Sequence, residues 1–178
     1  MSKPTAILNG KNVYINKNDV NAKVLKWIVD KVNEKLIIQG LACTYLYERG
    51  SLNVIDTNGK PMNLDDLIIW FSKHDKFFIS KYIVFKDLSD KGYQVIEPSE
   101  EINHEIPILV ISPEVTSKEK HLVYVIEEGY SINIDKIYQF ISEEIIFKKS
   151  KGHLILAIVE RRGGVTYYTA EIFLGATK

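Results

Sequence analysis

Residues 153–174 read HLILAIVERRGGVTYYTAEIFL and predict two β-strands joined by a short loop. His153–Val159 and Val165–Leu174 are rich in β-branched and aromatic residues, which favour strands, and the segment between them contains two glycines. The second strand is apolar on both faces. One face carries Val165, Tyr167 and Phe173, and the other carries Tyr168, Ala170, Ile172 and Leu174.

A strand at a sheet edge that faces water is normally polar on one side and protected by charge. We therefore expect the second strand to be either a central strand of a large core or an interface with another chain, and we favour the interface.

The sequence before this segment continues the β-rich pattern. Three short strands and one helix are predicted, the helix beginning after Asn133 as its N-terminal cap. They are Tyr93–Ile96, Ile106–Ile111, Leu122–Ile126 and the helix Ile134–Phe147. We assign residues 76–178 to one β-rich domain, with a helix over Phe77–Lys91 at its start.

Residues 1–75 predict a small mixed α/β domain. A helix over Asp19–Leu36 is indicated by apolar residues at helical spacing. Asn63, followed three residues later by Asp66, predicts the start of another helix. The remaining elements are strands over Ala6–Leu8, Asn12–Ile15 and Leu52–Ile55 and helices over Leu41–Glu48 and Leu64–Ser72. The predicted fold class is α+β.

The composition is that of a globular protein without a strong electrostatic bias. The 178 residues include 23 basic and 23 acidic side chains, so the formal net charge is zero. Phosphate neutralisation supplies much of the affinity for nucleic acid, so any RNA contact must use a local basic patch or a partner's charge. No signal peptide or membrane span is recognisable, and we expect a cytoplasmic protein.

Few residue patterns suggest chemistry. Cys43 is the single cysteine, so neither an internal disulfide nor a cysteine-based zinc site is predicted, and we expect no metal site. Lys148, Lys149 and Lys151 form one compact basic patch after the last predicted helix. The patch either complements the helix dipole, the interpretation we prefer, or contacts RNA phosphates.

Four segments of the C-terminal half, taken in order, resemble the nuclease domain of archaeal tRNA-splicing endonucleases. They are KYIVFKDL (81–88) with KGYQV (91–95), HLVYV (121–125), LILAIVE (154–160) and VTYY (165–168). A weaker resemblance covers Leu41–Gly50 and Leu64–Phe71. The resemblance implies a nuclease-like α/β C-terminal domain. Because no Pro/Gly/Ser-rich linker separates the two halves, we expect the N-terminal domain to pack on it.

Catalytic members of this family cleave RNA with a tyrosine, a histidine and a lysine, without a metal or cofactor, leaving a 2′,3′-cyclic phosphate and a 5′-hydroxyl. By resemblance these three positions fall on Ile111 (or Val110, depending on a one-residue register choice), Lys118 and Gly152. An aliphatic residue and a glycine cannot transfer protons or hold a charge. Two arginines that clamp a bulged base in catalytic members fall on Ile145 and Thr166.

The resemblance therefore implies a structural, non-catalytic subunit that assembles catalytic subunits for cleavage of pre-tRNA introns at bulge-helix-bulge sites. In this family a catalytic chain pairs with a structural chain, and two pairs form a tetramer. The terminal strand packs against its counterpart, and the preceding loop presents acidic residues to a basic pocket. Here that loop is Glu160-Arg161-Arg162-Gly163-Gly164, so its arginines could repel such a pocket or face RNA. The expected interface residues are Glu160, Arg161, Arg162, Tyr167, Tyr168, Ile172, Phe173 and Leu174.

Two alternatives remain open from the sequence. The chain could be a degenerate nuclease-like domain that forms its own dimer and binds another RNA or a protein. It could also be an active nuclease with a rearranged site built from His121, His153 and Lys151, which lie next to the lost positions.

Overall fold

The computed structural model divides the chain into two compact units, Met1–Tyr82 and Ile83–Lys178. The residues it describes are 3–20, 22–32, 34–98, 107–113, 119–131, 135 and 153–170. Within them each unit contains one five-stranded mixed sheet together with helices, which confirms the α+β class. None of the helices in this part of the chain is long and apolar enough to cross a membrane.

The first unit is built on a sheet with the strand order β3-β4-β2-β1-β5. Its strands are β1 (Thr5–Asn9), β2 (Asn12–Asn16), β3 (Ile28–Val32), β4 (Lys35–Ile38) and β5 (Asn53–Ile55). β1 and β5 run parallel, and the other pairs are antiparallel. Alternate residues of β1 and β2 are buried, as expected for strands with one face on a core.

The predicted helix over Asp19–Leu36 is wrong. This segment forms a short helix α1 (Ala22–Leu25), preceded by a 3-10 turn (Lys17–Asp19), and then the hairpin of β3 and β4. Val24 and Trp27 are buried, but Val29 and Val32 are exposed, so the apolar spacing came from two different elements. β4 pairs with β2 and buries Ile38, and this pairing and burial outweigh the weak local preference for a helix.

The helices α2 (Gly40–Glu48) and α3 (Leu64–Ser72) were predicted correctly. The Asn63 side chain accepts a hydrogen bond from the Asp66 backbone N–H at 2.8 Å, and the Asp66 carboxylate accepts one from Asn63 N–H at 3.1 Å. This reciprocal pair satisfies two backbone donors at the start of α3, as the sequence predicted.

The second unit contains a sheet with the strand order β10-β9-β8-β7-β6. The chain enters it along α4 (Phe78–Asp90), whose buried side chains include Val84, Phe85 and Leu88. The strands are β6 (Gln94–Ile96), β7 (Ile108–Ser112), β8 (His121–Glu127), β9 (Leu154–Val159) and β10 (Val165–Ala170). β8 and β9 run parallel and the other pairs are antiparallel. The predicted C-terminal strands are confirmed, with ends shifted by one or two residues where both ends are described.

The predicted helix Ile134–Phe147 and its cap Asn133 lie outside the described residues, except for Asp135, which is helical. The end of the last predicted strand, residues 171–174, lies outside them as well.

Candidate functional site

The position to which the resemblance assigns the family's tyrosine lies in the interior of the second unit. Ile111 is on β7, 2% exposed, and pairs with Val95 of β6 and His121 of β8. Its neighbour Val110, the other register choice, is also buried and packs with Leu122 on the opposite face of the sheet. With either choice, the residue at this position is an aliphatic side chain withdrawn from water.

Two histidines meet beside this position. The imidazole rings of His121 and His153 stack, with centroids 5.6 Å apart and planes inclined by 10°. The His153 backbone N–H donates to His121 Nδ1 at 3.1 Å, while His121 Nε2 lies 3.7 Å from a Glu119 carboxylate oxygen. Because Nδ1 accepts this hydrogen bond, the neutral His121 ring carries its proton on Nε2.

The strand β10 is an edge strand of the sheet. It pairs with β9, and in the described part of the chain no strand pairs with its other side. Tyr168 is 54% exposed and Thr169 is exposed as well. Tyr168 therefore presents a large aromatic side chain to solvent next to a strand edge that is unpaired in the described part of the chain.

The other face of β10 is occupied within the unit. The Tyr167 hydroxyl donates to Asp87 Oδ2 at 2.6 Å, and Lys91 Nζ lies 2.6 Å from the same oxygen and 4.8 Å from the centre of the Tyr167 ring. Burial raises the pKa of Tyr167, and the hydrogen bond to Asp87 raises it further. Burial alone would raise the pKa of Asp87, but the hydrogen bonds from Lys91 and Tyr167 outweigh it and hold that pKa below its ordinary value.

Sequence reasoning missed this cluster. Asp87 and Lys91 are four residues apart on one helix, a spacing that suggests an ion pair, but Tyr167 joins them from 80 residues away. For the interface prediction, this means that Tyr167 is engaged with its own unit, whereas Tyr168 is exposed to solvent.

The loop between β9 and β10, Glu160–Gly164, is exposed. Glu160 Oε1 accepts a hydrogen bond from the Thr166 hydroxyl at 3.2 Å, and the Arg161 backbone N–H donates to Glu128 Oε2 at 3.1 Å. Glu160, the acidic residue of this loop, is therefore hydrogen-bonded within its own unit.

Several predicted site residues lie outside the described residues. They are Lys118, Lys148, Lys149, Lys151, Gly152, Ile172, Phe173 and Leu174. In the part of the chain that is described, no group of three or more histidine, cysteine, aspartate or glutamate side chains could hold a metal ion.

Comparison with known proteins identifies relatives along most of the sequence. The chain is 30% identical over 166 residues to a tRNA-splicing endonuclease of Thermococcus kodakarensis, covering 92% of this chain and 95% of the relative. A tRNA-splicing endonuclease of Thermococcus gammatolerans has the same identity and coverage. One of Pyrococcus horikoshii is 28% identical over 138 residues, which cover 78% of this chain and 76% of the relative. No protein-family model matches. Because the similarity to several such proteins spans both units, the chain belongs to the tRNA-splicing endonuclease family.

Proposed function

We propose that this chain is the structural, non-catalytic subunit of a tRNA-splicing endonuclease. It pairs with a catalytic subunit, and two such pairs form a heterotetramer that cuts pre-tRNA introns at the two bulges of a bulge-helix-bulge junction. The complex leaves 2′,3′-cyclic phosphate and 5′-hydroxyl ends, with both cuts made by the catalytic chains. Recognition of such a junction depends on RNA shape and unstacked bases more than on sequence.

The observation that carries this proposal is the buried aliphatic residue at the tyrosine position. RNA cleavage of this type requires a group that removes the proton of the ribose 2′-hydroxyl and another that protonates the leaving oxygen. Ile111 has no titratable group, and its 2% exposure leaves it no access to a substrate. The resemblance assigns the family's histidine position to Lys118 and its lysine position to Gly152.

The geometry of His121 and His153 argues against a rearranged active site. An acid and a base that act on one phosphodiester must approach the phosphorus centre from opposite sides. The two rings are nearly parallel, and ring nitrogens donate and accept in the ring plane, so the nitrogens of the two rings do not face one another across a gap. Nδ1 of His121 is moreover occupied by the His153 backbone N–H.

The edge position of β10 supports the assembly role. Tyr168 provides a large exposed aromatic surface beside backbone groups that have no strand partner in the described part of the chain. Tyrosine is enriched among residues that dominate protein–protein binding energy. A subunit with a buried aliphatic residue at the assigned tyrosine position and with such an edge fits a role in assembly.

The test is cleavage of a bulge-helix-bulge pre-tRNA by the purified chain, by a catalytic family subunit from the same organism, and by the mixture. We expect no cleavage by this chain alone and full cleavage by the mixture, with the two proteins co-eluting as one complex. The variants His121→Ala and His153→Ala should leave cleavage by the mixture unchanged. Cleavage by the chain alone that disappears in either histidine variant would overturn the proposal in favour of a rearranged site.

A second outcome separates the remaining alternative. If the chain elutes as its own dimer and neither binds nor activates the catalytic subunit, the proposal fails and a degenerate domain that binds another RNA or protein becomes the better account.

A further inference from the structure

The formal charge is divided unequally between the two units. Residues 1–82 contain 12 basic and 8 acidic side chains, whereas residues 83–178 contain 11 basic and 15 acidic side chains. Within the first unit the whole surplus lies in residues 1–38, where seven lysines accompany three acidic residues, Asp19, Asp30 and Glu34. The net charge of zero therefore conceals a basic segment, and this segment forms β1, β2, β3 and β4.

The sheet of the first unit has one covered face and one open face. Alternate residues of β1 and β2 are buried, and α2 packs on β2. The intervening residues form the opposite face, where the strand register aligns one apolar or aromatic residue from each of four neighbouring strands. In spatial order they are Ile55, Ile7, Tyr14 and Ile37. Ile7 is 39% exposed and the other three are partly exposed.

Exposed polar residues lie on both sides of this row. They are Thr5, Asn16, Lys35 and Asn53 on one side and Asn9 and Asn12 on the other. We call the row and these six residues the outer sheet face. Its four strands β1, β2, β4 and β5 place no carboxylate on this face. Asp30 follows on the edge strand β3, where its carboxylate accepts a hydrogen bond from the Lys31 backbone N–H at 2.7 Å.

Two exposed lysines supply positive charge at opposite ends of the row. Lys35 Nζ lies 5.9 Å from the centre of the Tyr14 ring, and Lys11 lies in the turn between β1 and β2. Within the described residues neither lysine forms an ion pair. The turn is held in place because Trp70 Nε1 donates to Gly10 O at 2.7 Å. Both charges are therefore available to an anionic ligand.

This combination of groups favours RNA over a protein as the ligand. Lysines that have no carboxylate partner attract phosphates, and neutralising phosphates supplies much of the affinity for nucleic acid. Asparagine amides donate hydrogen bonds to phosphate and sugar oxygens. Sheets that bind RNA stack unpaired bases on aromatic side chains, a role that Tyr14 can fill at the centre of the face. Lysine is depleted in protein–protein interfaces.

We propose that the outer sheet face of the first unit binds the pre-tRNA. Lys11 and Lys35 contact phosphates, and Tyr14 contacts an unpaired base. The inference rests on the proposed function for the identity of the RNA, and it adds an RNA contact on the unit that contains none of the positions assigned to the catalytic residues. Such a contact contributes to affinity for the substrate and takes no part in bond cleavage.

The experiment measures RNA affinity by fluorescence anisotropy at salt concentrations from about 50 to about 300 mM. The probe is a labelled bulge-helix-bulge RNA with 2′-deoxyribose at both cut sites, which prevents cleavage. It is titrated with the full chain and with its complex with the catalytic subunit. In both cases Lys11→Gln/Lys35→Gln should bind about 10-fold more weakly at the lowest salt, and the slope of log K against log salt should become shallower by about 2.

The matched control is Lys73→Gln/Lys76→Gln. It removes the same charge at two exposed positions of the first unit that lie outside residues 1–38, so it should keep wild-type affinity and slope. At the centre of the face, Tyr14→Phe retains the aromatic ring and should bind as the wild type does. Tyr14→Thr keeps a residue that favours strands but removes the ring, so it should bind at least about fivefold more weakly.

Four outcomes would overturn the inference. Wild-type affinity and slope in Lys11→Gln/Lys35→Gln would show that these lysines do not contact RNA, and an equal loss in the Lys73/Lys76 control would show a non-local charge effect. Equal affinity of the two Tyr14 variants would remove the aromatic contact. Weaker binding of Lys11→Gln/Lys35→Gln to the catalytic subunit, with unchanged RNA affinity, would make the face a protein interface. The proposed function fails separately, if the wild-type chain neither binds nor activates the catalytic subunit.

Discussion

Replacing Tyr167 with phenylalanine should loosen the edge strand β10, whereas the same change at the adjacent Tyr168 should not. The Tyr167 hydroxyl donates to the Asp87 carboxylate at 2.6 Å, and phenylalanine keeps the ring while removing this hydrogen bond. Tyr168 is 54% exposed, and among the described residues its hydroxyl has no hydrogen-bond partner. The two variants therefore differ in one interaction at neighbouring positions of one strand.

The expected loss follows from the strength and exposure of the bond. Hydrogen bonds to charged groups contribute roughly 1.5–3 kcal/mol to stability. The Asp87 side chain is 36% exposed and retains Lys91 as a partner after the change, so the Tyr167→Phe loss should be lower, about 1 kcal/mol. A loss of about 1 kcal/mol corresponds to an approximately fivefold change in an opening equilibrium.

Hydrogen exchange of the β9 and β10 amides, followed by mass spectrometry, measures this local effect. Fluorescence is unsuitable because both tryptophans, Trp27 and Trp70, lie in the first unit. We expect about fivefold faster exchange of these amides in Tyr167→Phe and unchanged exchange in Tyr168→Phe. Equally accelerated amide exchange in both variants would refute the reasoning. So would a coupling energy near zero between Tyr167→Phe and Asp87→Asn in a double-mutant cycle.

Three further predictions concern the first unit. Gly40→Ala usually stabilises a helix, but here it should destabilise the protein by about 1–3 kcal/mol in urea unfolding, because the new Cβ would lie 2.8 Å from the Phe71 ring. Adding Phe71→Leu should recover part of this loss, and a stabilised Gly40→Ala variant would contradict the packing. The Cys43 thiol is fully buried, which raises its pKa to about 12, so it should react with a thiol reagent only after unfolding; rapid labelling of the folded protein would disprove this. Burial and the hydrogen bond to Glu48 raise the pKa of Tyr82, so its contribution to stability is complete below pH 10.0 and is lost as the pH rises beyond it. From pH 9 to 11 the free energy of unfolding should therefore fall less in Tyr82→Phe than in the unsubstituted protein, and an equal fall would argue against this assignment.

Local patterns in the sequence were sufficient for most elements. Alternating burial in β1 and β2 follows from period-two hydrophobicity, and the helix start at Asn63 follows from a hydrogen-bonding pattern contained within four residues. The residue types at the positions that the resemblance assigns to the catalytic residues, such as Ile111, are also read from the sequence alone, and the assignment stays a prediction.

The segment of residues 19–38 shows where local reasoning fails. Its apolar residues satisfy a helical period, yet β4 pairs with β2 and the segment becomes a hairpin after one short helix. Helix propensity is worth only a few tenths of a kcal/mol per residue, so strand pairing and burial of Ile38 decide the outcome.

The sequence by itself determined the residue types available for chemistry and the elements whose pattern repeats within a few residues. Only the tertiary structure decided how the side chains of β10 are used, since Tyr167 meets Asp87 across 80 residues, Tyr168 is exposed and Ala170 packs against a buried cluster. It likewise decided that the exposed Glu160 and Glu128 accept hydrogen bonds from Thr166 and from the loop backbone. The physical reason is that hydrogen bonds and burial act over a few ångströms in space, whereas sequence periodicity records only neighbours along the chain.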